Sequence, residues 1–460
     1  MVDTIIHGGT VATPTGTVTA DVAIEGERIA AVGDEAALDE AETVVDATGK
    51  LVLPGVIDPH VHIHDMFSSD TYESAGRAAA LGGTTTFVDF AWQAWEGDLS
   101  PWDEPGTLLE GIERKRAKGE GAIVDYGLHA AITREDETVF EEFPAVLESG
   151  VTSFKLFTTY EMGLDNGFMD RTFRELAAHD AVAVLHTEDD AVCTDRTEQF
   201  QREGKSDAEW FPRSRPDYAE AMALDDAVRM ATEAGCRYYG IHTTSRKAAD
   251  VLAAYRERHG EELVRGETCT HYTTLDDSAF RTQGMLPIIQ PPIRTPDDGD
   301  AMFEHLAAGS LDVVSTDHCG YSREAKEVDD WWECPPGANA LQTSLPVFHD
   351  EAINERDFSY PFLVRVMCAN PARLFGLTGK GTLDPGTDAD VVIFDPEERY
   401  TITAEDNAGF ADFSIYEGRE VTGRVEKTFV RGELVADDGR VVGTPGHGRF
   451  VEREIPDWDE

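Results

Sequence analysis

The stretch GVIDPHVH, residues 55–62, reads as a short β-strand that carries polar side chains at its C-terminal end. His60 and His62 stand two apart, so on a strand both point to one face and can grip one ion. Asp58, two residues earlier, extends the same inward row. Seven further β-rich runs follow: TTTFVDF (84–90), VDYGLHAAI (124–132), TSFKLF (152–157), VAVLHTE (182–188), RYYGIHTT (237–244), RGETCTHY (265–272) and LDVVSTDH (311–318). Amphipathic stretches separate them, such as PDYAEAMALDDAVRMATEAG before the sixth run and SRKAADVLAAYRERHG after it, the latter opening on a serine cap. Eight strands alternating with helices predict an α/β chain folded as a (β/α)₈ TIM barrel. The competing architecture is an open doubly wound sheet, but no Gly-rich dinucleotide loop follows the first strand.

Outside this region the pattern changes. The first 50 residues alternate short apolar runs with Gly-containing turns, and the pattern returns in ADVVIFDP, EVTGRVEKTFVRGELV and GRVVGT near the C-terminus. The two ends are expected to pair into a small β-sandwich domain of residues 1–53 plus 383–450. Residues 54–382 then form the barrel and residues 451–460 an acidic C-terminal tail.

Composition bounds the partners. No run approaches the roughly 18 consecutive apolar residues of a membrane span. The N-terminal MVDTIIHGGTVATPTG lacks a basic segment followed by an apolar one, so a cytoplasmic protein is expected. The six cysteines are scattered and read as reduced and mostly buried, Cys319 among them as a small apolar residue. Acidic residues number 89 against 39 basic, a net charge of -50 spread over the whole chain. Such a surface repels nucleic acid and anionic membranes, which excludes both as partners. Its self-repulsion is relieved in molar salt, where the Debye length is about 3 Å, which points to the cytoplasm of a halophilic organism.

The other polar residues with ligand chemistry fall at the ends of strands: His186 on the fifth, His242 on the sixth and Asp317 on the eighth. The C-terminal face is where barrel active sites are built. Buried histidines and carboxylates are costly unless paired or metal-bound, so their convergence on one rim carries information that a lone HxH does not. Lys155, in TSFKLF, is ambiguous from the residues alone. It reads either as a snorkelling or ion-paired lysine, or as a neutral amine converted to a carbamate whose two oxygens can bridge two cations.

Together GVIDPHVH, SFKLF, LHTED, GIHTTS, STDHC and NPARLFGLTGKGTLDPGTDADVVIFDP resemble the amidohydrolase superfamily, and within it the cyclic amidohydrolases of the hydantoinase and dihydropyrimidinase group. The resemblance covers nearly the whole chain in order. It implies two divalent metal ions per subunit, usually zinc. His60, His62, Lys155 carrying a CO₂-derived carbamate and Asp317 would hold one, and Lys155, His186 and His242 the other. It further implies hydrolysis of a small-molecule cyclic amide by a metal-bridging hydroxide, with Asp317 as the proton carrier, Tyr160 as the oxyanion donor, and a homo-oligomer, dimer or tetramer. Tyr160 and His271 have bland readings as well, an aromatic packed in a βα loop and a structural histidine.

Dihydroorotases of this kind usually place an arginine two residues after the HxH and allantoinases an asparagine; here His64 stands there. Gln290 replaces a serine usual in hydantoinases, and Pro336 an asparagine. Gln290, Gly337, His64 and the loop aromatics Phe67, Trp92 and Trp95 are the candidate substrate contacts. An allantoinase or dihydroorotase-like enzyme is the alternative. A non-catalytic scaffold relative is a more distant one, since all six ligand positions are filled.

The charge predicts salt dependence. In dilute buffer, with a Debye length of about 30 Å at 0.01 M, repulsion among the carboxylates is weakly screened. The melting temperature is expected to rise by several degrees or more between low and molar KCl, and an unchanged value would contradict the argument.

Overall fold

The eight β-rich runs form eight strands of one parallel sheet in the computed structural model, which describes residues 2–33, 41–101 and 106–458. The strands are Val56–Asp58, Thr84–Trp92, Asp125–Ala131, Ser153–Phe157, Val182–His186, Arg237–Gly240, Val264–Cys269 and Val313–Ser315, neighbours in space as in sequence. All but Arg237 of their residues are buried, because helices cover the outside and side chains fill the inside. The sheet closes where His318–Cys319, beyond the eighth strand, pairs in parallel with Val61–His62, beyond the first. The expected barrel is therefore present.

The helices follow their sequence signals. Asp217–Ala234 starts after Pro216, stops at Gly235 in the left-handed region (φ 69°) and buries Ala219, Ala223, Leu224, Ala227, Val228 and Ala231 along one stripe. Arg246–His259 begins where the Ser245 side chain accepts from Ala248 N. Strand ends differ from expectation at the C-terminal rim. The sixth strand stops at Gly240 and the eighth at Ser315, since His242 (φ 36°) and Asp317 (φ 47°) turn out of extended geometry. The seventh stops at Cys269, where Thr270–Thr274 makes a short helix with Thr273 and Thr274 hydroxyls donating to Thr270 O.

The two ends of the chain meet in a nine-stranded mixed sheet. Its seam is Leu51–Pro54, antiparallel to the start of Val391–Thr401. The last described residues do not hang free. Val451 N donates to Tyr126 O at 2.8 Å, Arg453 N to Gly150 O at 2.9 Å, and the buried Trp458 donates from Nε1 to Leu374 O at 3.0 Å, so the segment crosses the N-terminal face of the barrel. Residues 459–460 of the expected acidic tail lie outside the described residues. The six cysteines are free and buried. Among the described residues no helix is long and apolar enough to cross a membrane.

A buried ion cluster joins the barrel to the terminal sheet. Lys380 Nζ lies 2.9 Å from Asp125, 3.0 Å from Asp388 and 2.7 Å from Asp390, and Arg431 also pairs with Asp125. The three carboxylates have the spacing of a metal site, but the lysine ammonium is their cation. Burial works against that ammonium, and the three aspartates outweigh it and raise its pKa above the ordinary lysine value. Removing it strands buried anions, so Lys380→Met is expected to cost roughly 3–5 kcal/mol. A urea midpoint equal to that of the unaltered protein would refute this.

Candidate metal centre

Each candidate ligand sits where a strand leaves the barrel wall. His60 lies between Val56–Asp58 and Val61–His62, and Asp317 between Val313–Ser315 and His318–Cys319, so they face each other across the closing seam. Asp317 Oδ1 is 3.0 Å from His60 Nε2 and 3.3 Å from His62 Nε2. The ligand atoms of these three buried residues all lie within 4.8 Å of one another. In spite of the short contact, His60 Nε2 makes no hydrogen bond. Buried lone pairs that converge without a shared hydrogen fit a cation between them.

A second pair adjoins the first. His186 Nδ1 and His242 Nε2 face each other at 2.8 Å. Lys155, on the neighbouring strand and almost fully buried, places Nζ 5.1 Å from the centre of the Phe90 ring and 4.6 Å from that of Phe157. These nitrogens also suit a divalent ion, provided that the lysine gains acceptor atoms.

The charges follow from burial. It pulls Lys155 down to about 7, against the pull of Asp317 and Glu267, and His186 down to about 4. His242 is pushed well below its ordinary value, so both histidines are neutral and able to ligate. Burial raises the Asp317 carboxyl, but His60 and His62 hold it well below the usual range. Around His60, Asp317 and then Glu267 outweigh burial and raise the imidazole to about 9, the mark of a site that attracts positive charge. Tyr160 (φ 68°), His242 and Asp317 all have left-handed backbones, which bulky residues adopt only when the surroundings compel it.

All six ligand candidates line one cavity, with about 400 Å³ of space partly open to solvent, and Tyr160, Gln290, Gly337, Phe67, Cys319 and Pro336 line it too. Only glycine fits at 337, since φ is 131° and a Cβ would stand 2.5 Å from Cys319 Cβ. Its N–H is already taken by Ile288 O at 2.9 Å. Three expected substrate contacts are not brought to the cavity. Trp92 is fully buried behind His62, ring centres 6.0 Å apart, and donates to Asp65 Oδ2 at 2.6 Å. Trp95 faces another groove with Glu96 and Glu135. His64 is exposed, and its backbone bonds to Asp70 and Lys118.

Other residues were missed by the sequence reading. Glu267 accepts from His60 Nδ1 (2.7 Å), the Tyr239 hydroxyl (3.0 Å) and His242 N (3.3 Å). Glu188 accepts from His186 Nε2 at 3.0 Å and from Arg215 Nη1 at 2.6 Å. Both glutamates carried a signal, a carboxylate in an apolar strand run. Arg215 carried none, since it sits between helices. Asp58 proves not to line the cavity: it accepts from His60 N, Thr316 N and the Thr316 hydroxyl and stitches the first strand to the eighth. His271 is buried with Nε2 unpartnered, its pKa pushed down to about 4 by burial.

Comparison with known proteins places this geometry. The amidohydrolase family profile matches residues 288–435 and a dihydro-orotase-like profile residues 49–248. The chain is 35% identical to a D-hydantoinase of Streptomyces coelicolor, over 98% of both chains. It is 33% identical to an allantoinase of Salmonella choleraesuis, again over 98% of both. The crystal structure of dihydropyrimidinase from Brevibacillus agri NCHU1002 superposes with a TM-score of 0.92 at 31% identity, over 99% of both chains.

The donor set exceeds what one tetrahedral ion uses. The purified protein is expected to carry about two divalent ions per chain, and His242→Ala about one. Elemental analysis giving fewer than one ion per chain, unchanged on dialysis against zinc, manganese or cobalt, would sink this expectation.

Proposed function

The chain belongs to the amidohydrolase family, and from that premise we propose that it hydrolyses a cyclic amide, opening a hydantoin or dihydropyrimidine ring. The observation that carries this reading is the convergence of six ligand candidates from five strands on one cavity that also receives the Tyr160 side chain. Two cations, zinc by their nitrogen and oxygen donors, would be held by His60, His62 and Asp317 on one side and by His186 and His242 on the other. Lys155 would lie between them as a carbamate. Its burial favours the neutral amine, the form that adds CO₂. When bound, such ions make hydroxide available near neutral pH and polarise the scissile carbonyl.

The chain's own residues account for the rest. Asp317 is ionised at neutral pH and faces the cavity, so its carboxylate can take the proton of the attacking water and deliver it to the departing ring nitrogen. Burial keeps the Tyr160 phenol protonated well above pH 10, so it can donate to the carbonyl oxygen as negative charge develops there. Phe67, Phe157 and Pro336 give the cavity apolar walls against which a ring can pack.

Charge selects the ring. No arginine lines the cavity among the described residues, and the nearby Arg215 is neutralised by Glu188. A carboxylate on the ring would be buried unpaired, at a loss of several kcal/mol. Allantoin, itself a substituted hydantoin, is the nearer competitor. A hydrolysis screen in molar salt tests the reading. Hydantoin or dihydrouracil is expected to be turned over well and dihydroorotate poorly, and Lys155→Ala is expected to be inactive, with partial rescue by a short carboxylic acid. A kcat/KM for dihydroorotate equal to or above that for the neutral rings would overturn the substrate assignment.

A further inference from the structure

Beside the metal-binding histidines a chain of hydrogen bonds runs from Glu188 through Arg215 and Gln290 to Tyr160. Arg215 Nη1 donates to Glu188 Oε2 at 2.6 Å. The same guanidinium meets the Gln290 side-chain amide, from Nε at 3.0 Å and Nη2 at 3.2 Å, and the other end of that amide lies 2.9 Å from the Tyr160 hydroxyl. A guanidinium has five donors and no acceptor, so the amide atom facing it is the carbonyl oxygen. The NH₂ group is then the one that faces Tyr160, and the tyrosine oxygen accepts from it.

The second neighbour of that oxygen is His186 Nε2, at 3.3 Å. This nitrogen also faces Glu188 Oε2, at 3.0 Å. Glu188, ion-paired with Arg215, offers only acceptors, so Nε2 carries a hydrogen and cannot accept one from the tyrosine. Two donors therefore flank the Tyr160 oxygen, and its own hydrogen has neither as a partner. What remains is the open cavity, which both Tyr160 and Gln290 line.

We propose that Gln290 is the positioning residue that aims the Tyr160 hydroxyl proton into the cavity, with Arg215 holding Gln290 in the orientation that does so. The inference rests on the reading of Tyr160 as the donor to the developing oxyanion. Arg215 is itself locked. Its backbone carbonyl accepts from Arg294 Nη1, and Arg294 pairs with the buried Glu220 at 3.2 Å. One guanidinium thus sets two hydrogens, that of His186 through Glu188 and that of Tyr160 through Gln290. A shorter side chain at 290 has no pair of atoms that spans both partners. A glutamate spans them but reverses the second bond, because its outer oxygen can only accept.

Gln290→Glu is therefore the decisive variant, measured as a double-mutant cycle with Tyr160→Phe on the metal-loaded protein in molar salt. Tyr160→Phe is expected to lower kcat by roughly 100-fold or more, as loss of an oxyanion donor does. Gln290→Glu is expected to lower kcat by roughly 30- to 100-fold with KM within about threefold, and to cost nothing further in the Tyr160→Phe background. A normal kcat in Gln290→Glu beside an impaired Tyr160→Phe overturns the inference alone. An equal loss in the Tyr160→Phe background overturns it too, since Gln290 would then act on substrate directly. If Tyr160→Phe has full activity, the oxyanion reading itself fails. A readout without turnover then decides the hydrogen bond: with ring-labelled ¹³Cζ tyrosine, the Tyr160 resonance, identified by its loss in Tyr160→Phe, must shift in Gln290→Glu. An unmoved resonance refutes the positioning role.

Discussion

Glu267, at the C-terminal half of the seventh strand, ties three strands of the barrel together. It accepts from His60 Nδ1 of the first, from the Tyr239 hydroxyl and His242 N of the sixth, and it is fully buried. A carboxylate out of water must be met by donors, and here the donors are the groups that the site needs in place. Because His60 gives Nδ1–H to Glu267, its Nε2 is the nitrogen left facing Asp317, where a metal ion would take the place of a proton. The same relation holds one strand away, where Glu188 takes the Nε2 face of His186 and leaves Nδ1 to His242. Both histidines are thus aimed by a glutamate that stands outside the cavity, an arrangement common around metal-ligating imidazoles.

The rim also holds backbone strain. Tyr160, His242 and Asp317 adopt left-handed conformations in the loops that follow their strands, at a cost of order 1–3 kcal/mol each. The hydrogen bonds around them offset that cost, and the neighbouring strands, buried throughout, leave the rim little freedom to relax. At the opposite end of the barrel the problem is solved differently. There Lys380 and Arg431 neutralise Asp125, and the C-terminal segment covers the floor through Arg453 and Trp458. Two ends of one barrel thus bury charge differently: carboxylates met by cations at the floor, histidine nitrogens facing one another and a carboxylate at the rim.

Much of this was legible in the linear chain. The strand runs show as apolar stretches because both faces of a parallel barrel are buried, and the helices between them show as stripes with a cap at one end and glycine at the other. Ligand candidates showed for the same reason: His60, His62, His186, His242 and Asp317 are polar residues in places where an apolar strand cannot carry them freely. Glu267 and Glu188 met the same criterion and could have been found by it. His64, Trp92 and Trp95 were misplaced because the sequence shows that a residue follows a strand but not which way its loop turns. Trp92, for instance, continues the second strand into the protein and backs His62 from behind.

Burial and periodicity, which are local properties of a strand or helix, let the sequence by itself determine the barrel, the pairing of the two chain ends and the placing of His60, His62, His186, His242 and Asp317 at the rim, while Lys155 and Tyr160 were read there through the family resemblance. Only the tertiary structure decided how those residues are aimed. The facing of Asp317 and His60 depends on barrel closure between residues more than 250 positions apart, as the Asp58 to Thr316 bonds do. The orientation of Tyr160 depends on Arg215 and Gln290, which lie on separate connecting segments. Hydrogen-bond direction is set by which donors and acceptors meet in space, and residues distant along the chain leave no periodic trace of where they will meet.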